Sequence, residues 1–315
     1  MVDTLLYTKP HDGPECGLDP MLFKNSLAKL AQFYLISCRV EGKASNTIRV
    51  YSMALNNLLS SSDSSMPDAN SIRLSLYELE KRGLSFGAIH VHYRGLKTFF
   101  NWLVREGHLK ESPLRNIKPP KLDTVLIKPF TSEDINRLLL VTSGTRFIDF
   151  RNRAIVLVFL DTGIRVQEMA GLRIRDIDFG TGMVRVFGKG RKERYVRIGK
   201  TGRKALLNYL AKRDDELPCM WLTEERKPLS QDGVTIMVRR LCKWAKITGV
   251  KCGPHTFRHT AAINYLRNGG SEFTLQIMLG HTSLAMTRRY VMALGAEDMA
   301  RVHEKASPVD NLGIK

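Results

Sequence analysis

From Glu111 to Lys128 the chain carries Pro113, Pro119 and Pro120 among several lysines and shows no apolar period. Proline lacks an amide donor and drives the preceding residue out of the α region, so such a stretch is stiff and offers no face to bury. This feature limits the chain to two separately packed regions. The expected division is an arm at 1–20, a first domain at 21–112, a linker at 113–128, a second domain at 129–293 and a tail at 294–315. With 315 residues, the chain is long enough for both domains to bury a core.

Before the proline stretch the apolar residues recur at helical spacing. Leu22, Phe23, Leu27, Leu30, Phe33 and Tyr34 form one such set, and Ile48, Tyr51, Leu55, Leu58 and Leu59 form a second behind Ser45 as N-cap. A serine run at 60–65 reads as a loop, and two more helices are predicted near 72–82 and 85–106. The first domain is therefore expected to be a helical bundle. After the prolines, Thr131 and Asp134 approximate a capping box, and a very apolar helix is predicted from Arg153 to Thr162. Alternation over 183–187, a Gly188-Lys189-Gly190 turn and the run 195–198 predict a β-meander. From Thr201 the pattern is again helical, broken at Pro218, Pro228 and Gly253-Pro254. The fold class is mainly α, with a second domain that is mixed, mostly α, and holds a small antiparallel β-sheet.

Charge narrows the partner. Lys and Arg number 49 against 31 Asp and Glu, a formal net charge of +18. Through Lys121 there are 16 basic and 11 acidic residues, and after it 33 and 20, so both regions are positive. A membrane-surface protein concentrates its charge on one amphipathic helix or a short tail. Spread charge favours nucleic acid. No run approaches the roughly 18 apolar residues of a transmembrane helix. The N-terminus lacks the basic and apolar pattern of a secretory signal, so a soluble cytoplasmic protein is expected. The 5 cysteines form no C-x-x-C pair, which argues for free thiols and against a disulfide framework or a zinc site.

Four segments of the second domain carry candidate chemistry. In 161–168 a Thr-Gly break ends the apolar helix and starts another with Arg165 in its opening turns, and Glu168 shares its face. In 187–194 glycines flank Lys189 in a tight turn, without the glycine spacing or the Ser/Thr of a P-loop. In 253–259 His255 and Arg258 share a face. His255 and His259 have metalloprotease spacing without the required glutamate, so zinc is rejected. In 279–290 Ser283 is expected to cap a helix carrying Tyr290, with His281 on the preceding turn.

In this order the segments resemble the tyrosine recombinase (phage integrase) family, of the simple two-domain type. The resemblance covers almost the whole chain. The stretches 45–51 and 96–103 are similar to ones in the family's helical DNA-clamping domain, a SAM-like core-binding fold. Arg165, Lys189, His255, Arg258, His281 and Tyr290 match the six catalytic positions. Many relatives carry a histidine two residues after the tyrosine, where this chain has Met292, which bears on subgroup rather than activity.

What the resemblance implies is site-specific recombination of duplex DNA through a covalent 3′-phosphotyrosine. Two arginines and His281 would stabilise the phosphate oxygens, and Tyr290 would attack phosphorus. Lys189 would protonate the leaving 5′-oxygen, and His255 would assist proton transfer at the tyrosine. Glu168 would orient Arg165. No cofactor and no metal is expected. By the same resemblance the tail, with Met299 and Val302 as an apolar stripe, would pack into a neighbouring protomer of a tetramer on paired sites. Lys43, Thr47, Arg49, Arg94, Lys97, Arg239, Arg240 and Lys243 are the candidate DNA contacts, mostly to phosphate. A type IB-like topoisomerase and a non-catalytic DNA-binding protein on the same fold are the alternative readings.

Overall fold

The computed structural model describes residues 27–61, 66–122, 128–188 and 192–312. The expected arm at 1–20 and Lys189 lie outside the described residues. The chain divides into two compact units, 1–124 and 125–315.

The first unit is built from α1 (Leu27–Val40), α2 (Ser45–Ser61), α3 (Ala69–Lys81) and α4 (Phe86–Arg105). Two starts are fixed by side-chain caps: Asp68 accepts from the Ser71 amide at 2.8 Å and Ser85 from the Ala88 amide at 3.3 Å. Gly95 brings α4 close to α2, because a Cβ there would stand 2.8 Å from that of Ala54. The core joins Leu55, Leu58 and Leu96 to an aromatic group in which Tyr34 lies 5.4 Å from Phe99 and 5.5 Å from Trp102, centroid to centroid. The Tyr34 hydroxyl is satisfied by Thr98 at 2.8 Å.

Up to residue 122, the described residues of the expected linker pack against the first unit. Leu114 is buried in this core and the Tyr93 hydroxyl donates to the Ile117 carbonyl at 2.8 Å, so the described part of the proline stretch lies against α4. Its isolated apolar residues pack without any period of their own.

The second unit contains α5 (Ser132–Leu140), α6 (Phe147–Thr162), α7 (Val166–Ala170), β1 (Met183–Phe187), β2 (Glu193–Arg197), α8 (Lys200–Leu210), α9 (Gln231–Trp244), α10 (Pro254–Arg267), α11 (Glu272–Leu279), α12 (Ala285–Val291) and α13 (Ala296–Ala306). The Thr131–Asp134 capping box closes in both directions, at 3.0 and 3.1 Å. Helix α6 forms the buried axis, with Ala154, Ile155, Val156, Val158 and Phe159 all within the core. It starts six residues before the predicted Arg153, because Asp149 accepts from the Arg146 amide at 3.1 Å and secures an earlier first turn. The β region is a hairpin rather than a meander: β1 and β2 pair antiparallel with Val184 opposite Val196. Ile177 adds a single bridge to Val184, since the chain before it winds into a 3₁₀ turn at Ile174–Asp176. Helix α9 is capped by Ser230, which draws Gly233 into its first turn. Ser283 does not cap α12. Leu284 takes that place with helical dihedrals, and Ser283 offers its carbonyl to the Met286 amide.

Candidate active site

Two glycine-ended helices meet at one end of the second unit. Helix α6 stops at Gly163 with φ +58°, and α11 stops at Gly280 with φ +63°. Glycine is required at Gly163 for a second reason, since a Cβ would lie 3.0 Å from Leu279 and 3.2 Å from Ala261. A helix C-terminus leaves its last carbonyls without intrahelical partners and carries partial negative charge. Three arginines meet that need at the end of α11. Arg194 Nε donates to Met278 O at 2.9 Å, Arg258 Nη2 to Leu279 O at 2.8 Å, and Arg165 Nη2 to Gly280 O at 3.3 Å. Arg258 Nη1 also donates to Gly163 O at 2.7 Å, tying the two helix ends together.

Glu168 holds this group from beneath. Its side chain is 3% exposed and takes a forked pair of bonds from Arg194, each 2.7 Å, with a third from Arg165 Nη1 at 3.1 Å. It also accepts from the Arg165 amide at 2.7 Å, which makes Arg165 the cap of α7 rather than part of its opening turns. Burial by itself would raise the Glu168 carboxyl. The bonds from Arg194 and the Arg165 amide outweigh burial and hold it below the usual carboxylate range. Among the described residues no carboxylate forms an ion pair with Arg258, and burial, then repulsion by Arg165, pulls it down to about 10. It remains a cation at neutral pH. One carboxylate thus faces three guanidiniums, and the Arg165 side chain is 37% exposed.

The nucleophile candidate stands beside them. Tyr290 on α12 is 2% exposed, and its hydroxyl lies 3.0 Å from His259 Nδ1. Its ring stacks on His281, with centroids 6.1 Å apart and planes 7° apart. His281 Nδ1 is paired with the buried Thr287 hydroxyl at 2.9 Å. Burial, then Arg258, Arg165, Arg289 and Arg194, push the His281 imidazole down to about 4. His255 keeps a solvent-facing edge, yet partial burial and then Arg258, Arg165, Arg289 and Lys251 hold it below the ordinary imidazole range. Both rings are neutral at pH 7.

The structure therefore brings together Arg165, Glu168, His255, Arg258, His281 and Tyr290 of the sequence-predicted set. Two members were missed. Arg194 is the main partner of Glu168, and its signal was the alternation of β2, where Arg194 and Val196 point inward between exposed neighbours. His259 contacts the tyrosine hydroxyl, the place expected for His255. The spacing had offered it only as half of a rejected zinc pair. Among the described residues no group of three His, Cys, Asp or Glu side chains could hold a metal. No helix among them is long and apolar enough to cross a membrane.

The candidate DNA contacts are placed unit by unit. Arg94 and Lys97 stand exposed on one face of α4, and Arg49 is exposed on α2 against Asn46. Thr47 is half-buried on α2, and Lys43 is ion-paired to Glu41. In the second unit Arg239, Arg240 and Lys243 are all exposed on α9.

Residues 128–296 match the Phage integrase family, over half of the chain. The chain belongs to this family. The tyrosine recombinase XerC of Thermodesulfovibrio yellowstonii is 32% identical over 283 residues, covering 85% of this chain and 92% of that protein. XerA of Pyrococcus furiosus is 32% identical over 274 residues, covering 87% and 92%. Among solved structures, the XerH site-specific recombinase bound to a palindromic difH substrate shares the fold with a TM-score of 0.69 at 21% identity, over 90% of this chain and 85% of that one. A lambda integrase dimer bound to a COC′ core site gives 0.71 at 18% identity, over 84% and 77%. Membership makes the chain a tyrosine recombinase, an enzyme of site-specific DNA cleavage and rejoining. No observation favours the topoisomerase or the non-catalytic reading.

Proposed function

We propose that this integrase-family chain recombines specific duplex DNA sites through a covalent 3′-phosphotyrosine on Tyr290. The observation that carries the reading is the pocket itself: a buried phenol stacked on a histidine that is ringed by arginines gathered at one helix end. Arg165 and Arg258 bind the non-bridging oxygens of the scissile phosphate and stabilise the charge that builds there. Neutral His281, with Nδ1 occupied by Thr287, adds a bond from its other ring nitrogen. Tyr290 Oη attacks phosphorus, the P–O5′ bond breaks, and Lys189 gives the leaving oxygen its proton. His255 stays beside the arginines to assist proton movement. The phosphodiester energy is kept in the tyrosyl ester, so rejoining requires no nucleotide cofactor.

The division into an arm at 1–20, a clamping domain at 21–112, a linker at 113–128, a catalytic domain at 129–293 and a tail at 294–315 belongs to the same reading. So does action in the cytoplasm, on the nucleoid, as an integrase of a mobile element. The working form is a tetramer on paired sites. Support for it comes from α13, whose Met299 is 61% exposed while Asp298 is anchored to Arg267 at 2.9 Å. That leaves an apolar side chain for a neighbouring protomer to cover. Lys43, Thr47, Arg49, Arg94, Lys97, Arg239, Arg240 and Lys243 contact DNA, mainly its phosphates.

A duplex nicked beside the cleavage point tests the chemistry by trapping the adduct. Wild type should form a covalent protein–DNA species, and Tyr290→Phe should form none. An absent adduct with wild type on a cognate site would refute the reading. Exchange of strands only when two sites are paired supports recombination. Truncation after Ala293 should abolish cooperative assembly, and unchanged tetramers on DNA would remove the tail from that role.

A further inference from the structure

The proton that Tyr290 must lose as a nucleophile has an acceptor within reach. Among the described residues the hydroxyl's one hydrogen-bond partner is His259 Nδ1, at 3.0 Å, with ring centroids 5.5 Å apart and planes inclined by 50°. His259 directly follows Arg258 on α10, so the helix turn that inserts a phosphate-binding guanidinium also delivers an imidazole to the nucleophile. With the ring proton on Nε2, Nδ1 is the acceptor and the phenol O–H the donor.

We propose that His259 is the proton acceptor for the nucleophile in strand cleavage, a step that rests on the reading of Tyr290 as that nucleophile. As the Oη–P bond forms and the P–O5′ bond breaks, the phenolic proton passes to Nδ1 and leaves an imidazolium. On rejoining, the 5′-hydroxyl attacks phosphorus and gives its proton back to Lys189, the Oη–P bond breaks, and Nδ1 returns its proton to the departing phenolate. His259 touches the reacting oxygen and is therefore catalytic in this scheme, distinct from His255 on the solvent side.

The surroundings make the step conditional on substrate. His259 is faced by Arg289 and Tyr290 from α12 and by His255 and Arg258 from its own helix. Burial first, then Arg289, His255 and Arg258, push it down to about 4. The free protein therefore holds the ring neutral and ready to accept, but as a weak base. A phosphate seated on Arg258 adds negative charge to the same pocket, which favours the imidazolium and strengthens the base. Nucleophile activation is thereby coupled to occupancy of the anion site.

Single-turnover adduct formation on the nicked duplex, followed against pH, tests this. In His259→Asn the amide oxygen replaces Nδ1 as acceptor for the phenol but cannot take up its proton. DNA affinity should be unchanged, while adduct formation slows by about 100-fold and loses the acid limb that protonation of His259 produces. A wild-type rate and pH profile in His259→Asn, with wild type forming adduct normally, would overturn the proposal and leave the nucleophile reading intact. No adduct with wild type would remove both. If the variant does not fold, the intact chain labelled with ¹⁵N-histidine decides. Nδ1 of His259, identified by its change in Tyr290→Phe, should be the unprotonated nitrogen, and a protonated Nδ1 refutes the assignment.

Discussion

In the helical unit, Arg49, Arg94 and Lys97 stand on exposed helix faces above a core of leucines and aromatic rings. In the second unit, Arg258 and Arg194 are drawn inside and tied to backbone carbonyls at the ends of α6 and α11, with the buried Glu168 carboxylate accepting from Arg194. The two arrangements use the same residue types for opposite ends. An exposed cation attracts a polyanion from a distance, is screened by salt and is individually dispensable. A buried one has its geometry fixed before the substrate arrives, so each removal leaves groups unpaired in a poorly solvated place. The contrast predicts all-or-none effects in the pocket and graded ones on the bundle.

The largest effect belongs to Tyr290→Phe. It removes the hydroxyl proposed as the nucleophile and its bond to His259 while keeping the ring stacked on His281. Adduct formation should vanish with DNA binding intact. Next is Arg258→Lys, which keeps the charge but cannot donate to Gly163 O and Leu279 O together. Adduct formation should fall by roughly 100- to 1,000-fold. Near-normal rates would mean that charge alone, rather than the fork, does the work in the pocket.

Glu168→Gln breaks the contrast from the side of stability. It strips the buried Arg194 of its carboxylate, and Arg194, 10% exposed at its side chain, cannot recover the loss from water. Unfolding should become easier by about 3–5 kcal/mol, read by chemical denaturation. The sign with pH follows from the depressed carboxyl. Its contribution is whole above the unfolded value, near 4.5, and is lost as pH falls through the folded value. The variant should show a flatter acid limb than wild type.

Why some of this was legible in the chain and some was not follows from distance along it. Arg165, Arg258 and His281 each sit beside local punctuation, namely Gly163, the Gly253-Pro254 pair and Gly280, so helix ends announced them. The partnerships of Arg194 with Glu168 and of His259 with Tyr290 span 26 and 31 residues and depend on how elements dock. Local spacing carries no such information. Leu114 is similar, an apolar residue among prolines whose burial only the face of α4 decides. The start of α6 was missed because Arg146 is not a usual N-cap, and its amide is satisfied instead by Asp149.

The pocket histidines give a smaller, pH-limited effect. His259 and His281 are both held at about 4, against an ordinary value of 6.5. The unfolded chain takes up protons in that interval and the folded chain does not. Stability is therefore whole above about 6.5 and declines as pH falls toward about 4. His281→Asn, which keeps an acceptor for the Thr287 hydroxyl, should reduce that slope in thermal melts. An unchanged slope would place the ring in solvent rather than among Arg258, Arg165, Arg289 and Arg194.

The smallest effect is expected from Lys97→Ala on the exposed face of α4. The side chain lies outside the buried core, so the fold and its melting temperature should stay as they are. What changes is the number of phosphates neutralised. Each lost contact to duplex DNA lowers the slope of log affinity against log salt by about 0.9, a modest loss at moderate ionic strength that fades at high salt. Anisotropy titrations of labelled DNA over a salt series measure it directly. Arg94→Ala should do the same. A fall in the cleavage rate at saturating DNA would instead give Lys97 a fixed role in the chemistry. The line between the exposed helix face and the buried pocket would then have to be redrawn.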